Sequence, residues 1–347
     1  MKTLIIGPSW VGDMMMSQSL YRTLKQLDPS VEIDVMAPAW CRALLNKMPE
    51  VNQSIAMPLG HGEFNLMQRY HLGKELRNNN YEQAFILPNS LKSALIPFFA
   101  KIPKRTGWKG EMRYGLLNDL RKLDKPAFPQ MVERYVALAY PKQQIHSAQD
   151  LPKPLLWPKL EVSQEDITNT LTLFNIANDE PLIGFCPGAE FGPAKRWPDY
   201  HYAALADMIV SQHAKILIFG SANDREVGNQ IMAKMTHSDQ CINLAGETQL
   251  EQAINLIAGC KAIVTNDSGL MHVAAALDRP LVALYGPSSP DFTPPLSNRA
   301  EIIRLITGYH KVRKGNGDQG YHQSLIDIKP AQVFETLMNL IVRCEKE

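Results

Sequence analysis

Short apolar runs alternate with longer amphipathic stretches along the whole of this chain. Runs rich in β-branched residues at 2–6, 31–36 and 83–87 predict buried strands, each followed by a stretch with helical spacing. The pattern returns in the second half, with runs at 181–186, 215–219, 262–265 and 281–285. Strands that alternate with helices indicate parallel sheets. The chain is therefore predicted to hold two α/β domains of similar architecture.

Length and local composition agree with two domains. The 347 residues exceed one typical domain and suggest two of roughly 150 to 180 residues each. Residues 142–158 are rich in Pro, Gln, Lys and Asp and have no sustained periodicity, which predicts a linker. We assign residues 1–160 to the first domain and 175–347 to the second. The last helix, from Pro330, could pack back on the first domain.

Charge and cysteine usage narrow the class of protein. Lys plus Arg number 36 and Asp plus Glu 35, so no net field favours a nucleic-acid partner. The five cysteines are scattered without a Cys-x-x-Cys pair, which is typical of reduced thiols. The amino-terminal apolar run is too short for a signal peptide, and no run approaches the ~20 apolar residues of a membrane span. These features predict a cytoplasmic protein.

Residues 261–285 are the most informative stretch, because they predict a strand, a turn, a helix and a second strand. Candidate binding residues on this turn and helix are Asp267, Ser268, Gly269 and His272. A helix N-terminus has free N–H groups and partial positive charge, which favour a phosphate. Ordinary helix capping explains the turn about as well. The glycine- and proline-containing loop at 286–290 favours a ligand site, since ligands bind where strands of open α/β sheets end.

The loop at residues 187–198 follows the first strand of the second domain. Gly188 permits close backbone approach, and Lys195 and Arg196 can pair with phosphate oxygens. Cations beside a helix N-terminus oppose its dipole, so we expect a negative group near them; a simple basic flank is the alternative. Asp224, after the next strand, either holds a ribose hydroxyl or caps a helix.

In the first domain, residues 7–13 form the turn before a helix predicted over 14–27. Asp13 either complements the dipole of that helix or acts as a general base where the first strand ends. Gly12 would let another molecule approach the backbone closely.

Two further segments are basic. Residues 97–113 are interpreted as a loop with three aromatic residues, Glu111, and five cations: Lys101, Lys104, Arg105, Lys109 and Arg113. The segment is either a solvated loop or a site for an anionic partner, such as a phosphorylated sugar or an acidic membrane surface.

The second basic segment surrounds residues 315–320, which match G-x-G-x-x-G. We reject a dinucleotide fingerprint there, because a strand is predicted at 325–328 instead of a helix. The segment is expected to be a mobile, basic rim, carrying Tyr309, His310, Lys311, Arg313, Lys314 and His322.

Four motifs, taken in order and at this spacing, resemble the heptosyltransferases of lipopolysaccharide core assembly, glycosyltransferase family 9. They are residues 10–13, the loop at 187–198, residues 266–269 with His272, and residues 285–287. The resemblance covers essentially the whole chain. It implies an α/β protein with the GT-B fold, in which two Rossmann-like, doubly wound parallel-sheet domains face each other across a cleft.

The resemblance also implies an activity. The family would make this chain an inverting glycosyltransferase that moves L-glycero-D-manno-heptose from ADP-heptose to lipid A-linked core oligosaccharide. The segment 9–11 departs from the enzymes that act on Kdo, which favours transfer to the first heptose of the inner core. Transfer to Kdo, a sugar-nucleotide epimerase or hydrolase, and a sugar-nucleotide sensor are the alternatives.

Residue roles follow from the same resemblance. Asp13 would be the general base and Lys195 would stabilise the departing diphosphate. Donor-binding residues would be Gly188, Lys195, Arg196, Asp224, Asp267, Ser268, Gly269 and His272. Acceptor-binding candidates are Ser9, Trp10, Gly12, Lys104, Arg105, Lys109 and Arg113. No cofactor is expected to be required, no metal is indicated, and peripheral contact with the cytoplasmic face of the inner membrane is expected.

Overall fold

Two compact units make up the chain, Met1–Leu160 and Glu161–Glu347. The computed structural model describes residues 1–60, 62–177, 179–190, 192–308, 312–315 and 317–346. Of the predicted basic rim, Tyr309, His310 and Lys311 lie outside the described residues. Within the described residues, every helix is too short or too polar to cross a bilayer.

The first unit contains a six-stranded parallel sheet with the order β3-β2-β1-β4-β5-β6. Its strands are β1 (Lys2–Ile6), β2 (Glu32–Pro38), β3 (Gln53–Met57), β4 (Gln83–Ile86), β5 (Lys104–Trp108) and β6 (Asp119–Arg121). Its helices are α1 (Val11–Leu27), α2 (Arg42–Leu45), α3 (Leu66–Leu76), α4 (Leu91–Phe99) and α5 (Met131–Val136).

Successive side chains of each strand point to opposite faces of this sheet, and helices cover both faces. Leu4 and Ile6 point with Ile86 into a core that α3 and α4 cover. Helices α1 and α5 pack together as a second pair. The predicted linker ends against α1, because Gln18 donates to the Lys159 carbonyl and accepts from its N–H, at 2.6 and 3.0 Å.

The second unit repeats the plan with the strand order β12-β11-β10-β7-β8-β9, again all parallel. Its strands are β7 (Leu182–Cys186), β8 (Lys215–Ile218), β9 (Cys241–Asn243), β10 (Ala262–Asn266), β11 (Leu281–Tyr285) and β12 (Ala300–Arg304). Its helices are α6 (Gln164–Leu173), α7 (Asp199–Val210), α8 (Arg225–Lys234), α9 (Leu250–Gly259), α10 (Gly269–Ala276), α11 (Gln323–Ile326) and α12 (Pro330–Cys344).

The apolar face of α12 explains where this last helix lies. Val333, Leu337, Leu340 and Ile341 recur at helical spacing and join the buried core of the second unit. Helix α12 accordingly packs on α7 and against β11. That it also packs on the first unit stays a prediction.

Three sequence-based expectations about local structure were wrong. The basic segment at 97–113 is not all loop, because β5 runs through its middle as an inner strand of the sheet. Helix α1 begins at Val11, three residues before its predicted start, so Asp13 lies in its first turn. The predicted strand at 325–328 begins instead as the short helix α11. Strand β6 and helix α5 are too short to give a periodic signal.

Candidate functional site

Three loops meet at the carboxyl edge of the second sheet. The loop after β7 carries Lys195 and Arg196, the loop after β8 carries Asp224, and the turn after β10 carries Asp267. The first loop contacts both others, since its two cations pair with the two acids. The structure therefore brings together residues that lie up to 72 positions apart in the sequence.

Lys195 and Asp267 form the closest of these pairs. Lys195 Nζ donates to Asp267 Oδ2 at 2.8 Å, and the two side chains are 18% and 11% exposed. Partial burial strengthens such a pair, because less water screens the charges. The pair offers a ligand one cation and one carboxylate side by side, suited to a phosphate and a hydroxyl group.

Helix α10 begins at Gly269, two residues after Asp267. The residue between them, Ser268, has extended backbone, and its side chain does not cap the first-turn N–H groups. Ser268 Oγ lies 3.4 Å from Thr265 Oγ1 instead. The first N–H groups of α10, from Gly269 onward, are therefore left available, and they carry the positive end of the helix dipole. Together with Lys195 they suit a diphosphate.

His272 lies in the same helix but is only 6% exposed. Burial lowers the pKa of its imidazole to about 4, although the Asp267 carboxylate opposes that shift. His272 is therefore neutral at pH 7. It can exchange a hydrogen bond with a hydroxyl group, but it cannot act as a cationic partner of phosphate.

Asp224 is occupied by local contacts. Its Oδ2 accepts from the backbone N–H and the hydroxyl of Ser221, at 3.0 and 2.7 Å, which is helix-capping geometry. Its Oδ1 lies 3.5 Å from an Arg196 guanidinium nitrogen. Gly188 packs directly on this carboxylate, since a Cβ there would lie 2.5 Å from Asp224 Cγ. The close approach predicted for Gly188 is thus made to Asp224.

Arg196 keeps hydrogen-bonding capacity. Within the part of the chain that the structure describes, its Nε is buried and has no hydrogen-bond partner. An unsatisfied buried donor of a charged group is costly. A phosphate oxygen would relieve that cost, so the geometry is compatible with the predicted donor contact.

Asn266 is a residue whose role the sequence analysis missed. This fully buried last residue of β10 accepts from the Trp197 N–H at 3.1 Å and the Tyr202 hydroxyl at 3.2 Å. Its side-chain amide donates to the Pro187 carbonyl at 2.6 Å. Both ends of the loop that carries Lys195 are thereby tied to β10. The only sequence signal was a buried polar residue ending an apolar strand.

At the carboxyl edge of the first sheet, Asp13 is the charged residue of the first turn of α1. The preceding residues Ser9, Trp10 and Gly12 are all at least partly exposed, and Trp10 is 46% exposed. Gly7 packs closely on the side chains of α1 and β2, since a Cβ there would lie 2.8 Å from Met14 Cε and 3.2 Å from Val35 Cγ1. The predicted base and three acceptor candidates therefore share one short segment at this edge.

The Asp13 carboxylate is poorly solvated, and burial together with the charge of this carboxylate raises the pKa of the Tyr135 hydroxyl. Burial raises the pKa of this carboxyl from 3.8 to about 6. Among the residues that the structure describes, no hydrogen bond or ion pair of its side chain offsets this cost. A carboxylate with a pKa near the working pH can both accept and release a proton, as a general base must.

The two predicted acceptor lysines lie at opposite edges of the first sheet. Lys109 follows the end of β5, at the carboxyl edge that also bears Asp13, and its ammonium group lies 5.2 Å from the Tyr114 ring centroid. Lys104 begins β5 and lies at the amino edge. Because all strands of this sheet are parallel, Lys104 cannot share the Asp13 edge, which argues against its predicted role.

The two predicted acceptor arginines support the fold. Arg113 is 1% exposed, and its guanidinium donates to the carbonyls of Pro88 and Trp108. Burial lowers its pKa to about 10. Arg105 donates to the Leu116 and Ile102 carbonyls at 2.6 and 2.5 Å. These placements argue against direct acceptor contact by either arginine.

Comparison with known proteins places the chain beside one family. The profile of glycosyltransferase family 9 (heptosyltransferase) matches residues 69–322. Lipopolysaccharide heptosyltransferase 2 of Salmonella typhimurium is 67% identical over 343 residues, covering 98% of this chain and 99% of that protein. The protein of the same name from Escherichia coli K12 is 65% identical over 347 residues, covering 99% and 100%.

A solved structure agrees with these relatives. The structure of E. coli ADP-heptose LPS heptosyltransferase II superposes with a TM-score of 0.91 at 62% sequence identity. The match covers 99% of this chain and 100% of that one. The two six-stranded parallel sheets thus belong to the GT-B type of fold, as the family resemblance implied.

Proposed function

This chain belongs to glycosyltransferase family 9, the heptosyltransferases, and we propose that it transfers heptose from ADP-heptose to the lipopolysaccharide core. Within that reaction we propose the first heptose of the inner core as the acceptor. The similarity to proteins named heptosyltransferase 2 supports this position. An epimerase, a hydrolase and a sensor are not favoured.

The observation that carries the donor side is the Lys195–Asp267 pair at the start of α10. When ADP-heptose binds, the ammonium group of Lys195 and the first N–H groups of α10 face the diphosphate. Arg196 adds a second cation. Asp267 can then accept hydrogen bonds from heptose hydroxyl groups, and neutral His272 can donate or accept one.

Asp13 supplies the base. Its carboxylate takes the proton from an acceptor heptose hydroxyl while that oxygen forms a bond to the anomeric carbon of the donor. The bond from this carbon to the diphosphate oxygen breaks, ADP leaves, and the configuration at the carbon is inverted. Lys195 and the α10 N-terminus neutralise the charge that develops on the leaving group.

We also propose that this charge neutralisation needs no metal ion. Lys195, Arg196 and the first N–H groups of α10 together supply positive charge for the diphosphate. The test is transfer after extensive EDTA treatment. We expect an unchanged rate, and a loss that Mg²⁺ restores would contradict this part of the proposal.

The decisive experiment incubates the purified protein with ADP-heptose and core lipids bearing zero, one or two heptoses, followed by mass spectrometry. We expect one heptose to be added to the mono-heptosylated lipid alone. Addition to the heptose-free lipid would assign the chain to the Kdo position. ADP release without a lipid product would indicate a hydrolase, and tight binding without turnover a sensor.

A further inference from the structure

One outer surface of the first unit exposes large apolar side chains. They are Phe64, Leu66, Met67, Tyr70 and Phe98, each between 37% and 66% exposed, and we call them the α3–α4 surface. Single exposed apolar residues are normal on a protein, but a contiguous group marks an interaction site. The α3–α4 surface lies on the opposite side of its helices from the core that they cover.

Packing between the two helices makes this surface continuous. Leu66 and Met67 lie one helical turn before Tyr70, on the same exposed face of α3. The Tyr70 ring lies 5.3 Å from that of Phe99, which lies 5.6 Å from that of Phe98. Gly73 allows the close contact, since a Cβ there would lie 2.6 Å from Phe99. Rings from both helices therefore form one apolar strip.

Cations border the strip. Residues 92–109 contain five Lys or Arg and no Asp or Glu. The Arg105 guanidinium lies 5.6 Å from the centre of the Phe98 ring. Lys74 and Lys101 are exposed next to the strip, on α3 and just after α4. Glu63 and Glu75 are the acids on the α3 side, so positive charge prevails around the apolar groups.

Apolar and aromatic side chains bordered by cations match the surface of an anionic bilayer. The rings and the methionine can enter the boundary between headgroups and acyl chains, while Lys74 and Lys101 meet lipid phosphates. A second copy of this chain fits less well. A two-fold contact would set the α3–α4 surface against itself and bring its cations together.

We propose that the α3–α4 surface docks the protein on anionic phospholipid. The inference deepens the proposed function and rests on it in one respect, because a lipid-linked acceptor is presented at a bilayer. Helices α3 and α4 both run from the carboxyl edge of the first sheet, where β1 ends shortly before Asp13, to its amino edge. Docking through their outer faces holds the first unit against the bilayer that presents the acceptor.

Vesicle flotation tests the docking directly, without reference to catalysis. The wild-type protein is expected to float with vesicles of phosphatidylglycerol and phosphatidylethanolamine, to do so less in high salt, and to stay behind with phosphatidylcholine. The double variant Met67→Asp/Phe98→Asp should weaken binding at least about tenfold, because it replaces two inserting side chains by charges. Lys74→Glu/Lys101→Glu should weaken it by a similar factor.

The matched control is Leu173→Asp, which charges an apolar residue of α6 that is 63% exposed. This variant should float like the wild type, and thermal melting should show that all variants are folded. Wild-type protein that does not float, or a Met67→Asp/Phe98→Asp variant that floats normally, would overturn the proposal. So would concentration-dependent dimers that this variant abolishes, because they would assign the surface to a second copy.

An activity assay separates this inference from the proposed function. With a deacylated, water-soluble acceptor, Met67→Asp/Phe98→Asp should transfer heptose like the wild type. With the acceptor embedded in anionic vesicles, its rate should fall at least about fivefold. Equal loss with both acceptors would contradict the docking role. Absence of transfer by the wild type would contradict the proposed function, while the flotation result would stand on its own.

Discussion

The carboxyl edges of the two sheets share a topology but differ in their electrostatics. In the second unit the four charged donor-site candidates are paired, Lys195 with Asp267 and Arg196 with Asp224. In the first unit Asp13 has no such partner among the described residues, and burial raises its pKa to about 6.

This difference separates two kinds of chemistry that one strand-loop-helix unit can support. A paired cation and acid are already charged, so a ligand that brings its own charges can exchange partners with them at little cost. A desolvated carboxylate that has no ion-pair partner is stabilised by gaining a proton. The second edge is therefore suited to binding a diphosphate, and the first edge to accepting a proton.

The largest effect is expected from Asp13→Asn. The amide cannot accept the hydroxyl proton, so transfer should fall about 10²- to 10⁴-fold while ADP affinity stays the same.

Burial raises the pKa of Asp13, so the folded state binds more protons than the unfolded state between about pH 4 and 6. Wild-type stability is thus lost as pH rises through this range. Asp13→Asn should be more stable by about 1–2 kcal/mol at pH 7, with no gain below pH 4.

Steady-state kinetics, calorimetric ADP titration and thermal melting at several pH values measure these outcomes. Asp28→Asn is the matched control, because Asp28 follows the other end of α1 and is held by Ser30. Its transfer rate should equal that of the wild type. Near-normal transfer by Asp13→Asn would mean that Asp13 only complements the helix dipole.

A smaller loss is expected from Lys195→Ala. Removing the cation leaves developing diphosphate charge uncompensated and should lower kcat/KM about 10²- to 10³-fold, with weaker ADP binding. Lys215→Ala is the control, since Lys215 also makes an ion pair of 2.8 Å but begins β8, at the opposite edge. That variant should stay within about twofold of the wild type. Equal effects of both variants would remove the distinction between a binding pair and a structural pair.

The smallest of these effects is expected from Asn266→Ala. Loss of three hydrogen bonds should loosen the loop that carries Lys195, raising the donor KM and lowering kcat/KM about tenfold, with about 1–3 kcal/mol lost from stability. Asn243→Ala is matched to it, because Asn243 ends β9 and also makes three hydrogen bonds. It should lose stability but not kcat/KM. Equal KM values in the two variants would show that Asn266 has no positioning role.

Much of the fold was predictable from the sequence because both sheets are parallel and buried. Strands β1, β4, β10 and β11 each contain at least three consecutive apolar residues, and helices follow at regular intervals. Strand β5 was missed because its sequence, KRTGW, begins with two cations and contains no apolar run, although its last three residues are buried.

The candidate site was predictable as far as local motifs reach. Asp267, Lys195 and Arg196 could be named because turns and loops after strands have recognisable residues. The pairing of Lys195 with Asp267, the burial of Arg113 and the contacts of Asn266 depend on side chains distant in sequence. No pattern within a single segment contains that information.

The protonation of Asp13 can be measured directly and compared with the rate of transfer. Carbon-13 NMR of aspartate carboxyl groups, assigned with Asp13→Asn, gives the pKa of this residue, and kcat/KM of transfer can be followed over the same pH range. We expect Asp13 to titrate near pH 6 and kcat/KM to rise with unit slope to a plateau above the same pH. Two results would argue against Asp13 as the base. They are a pKa of Asp13 near 3.8 and a kcat/KM that does not change with pH around the measured pKa.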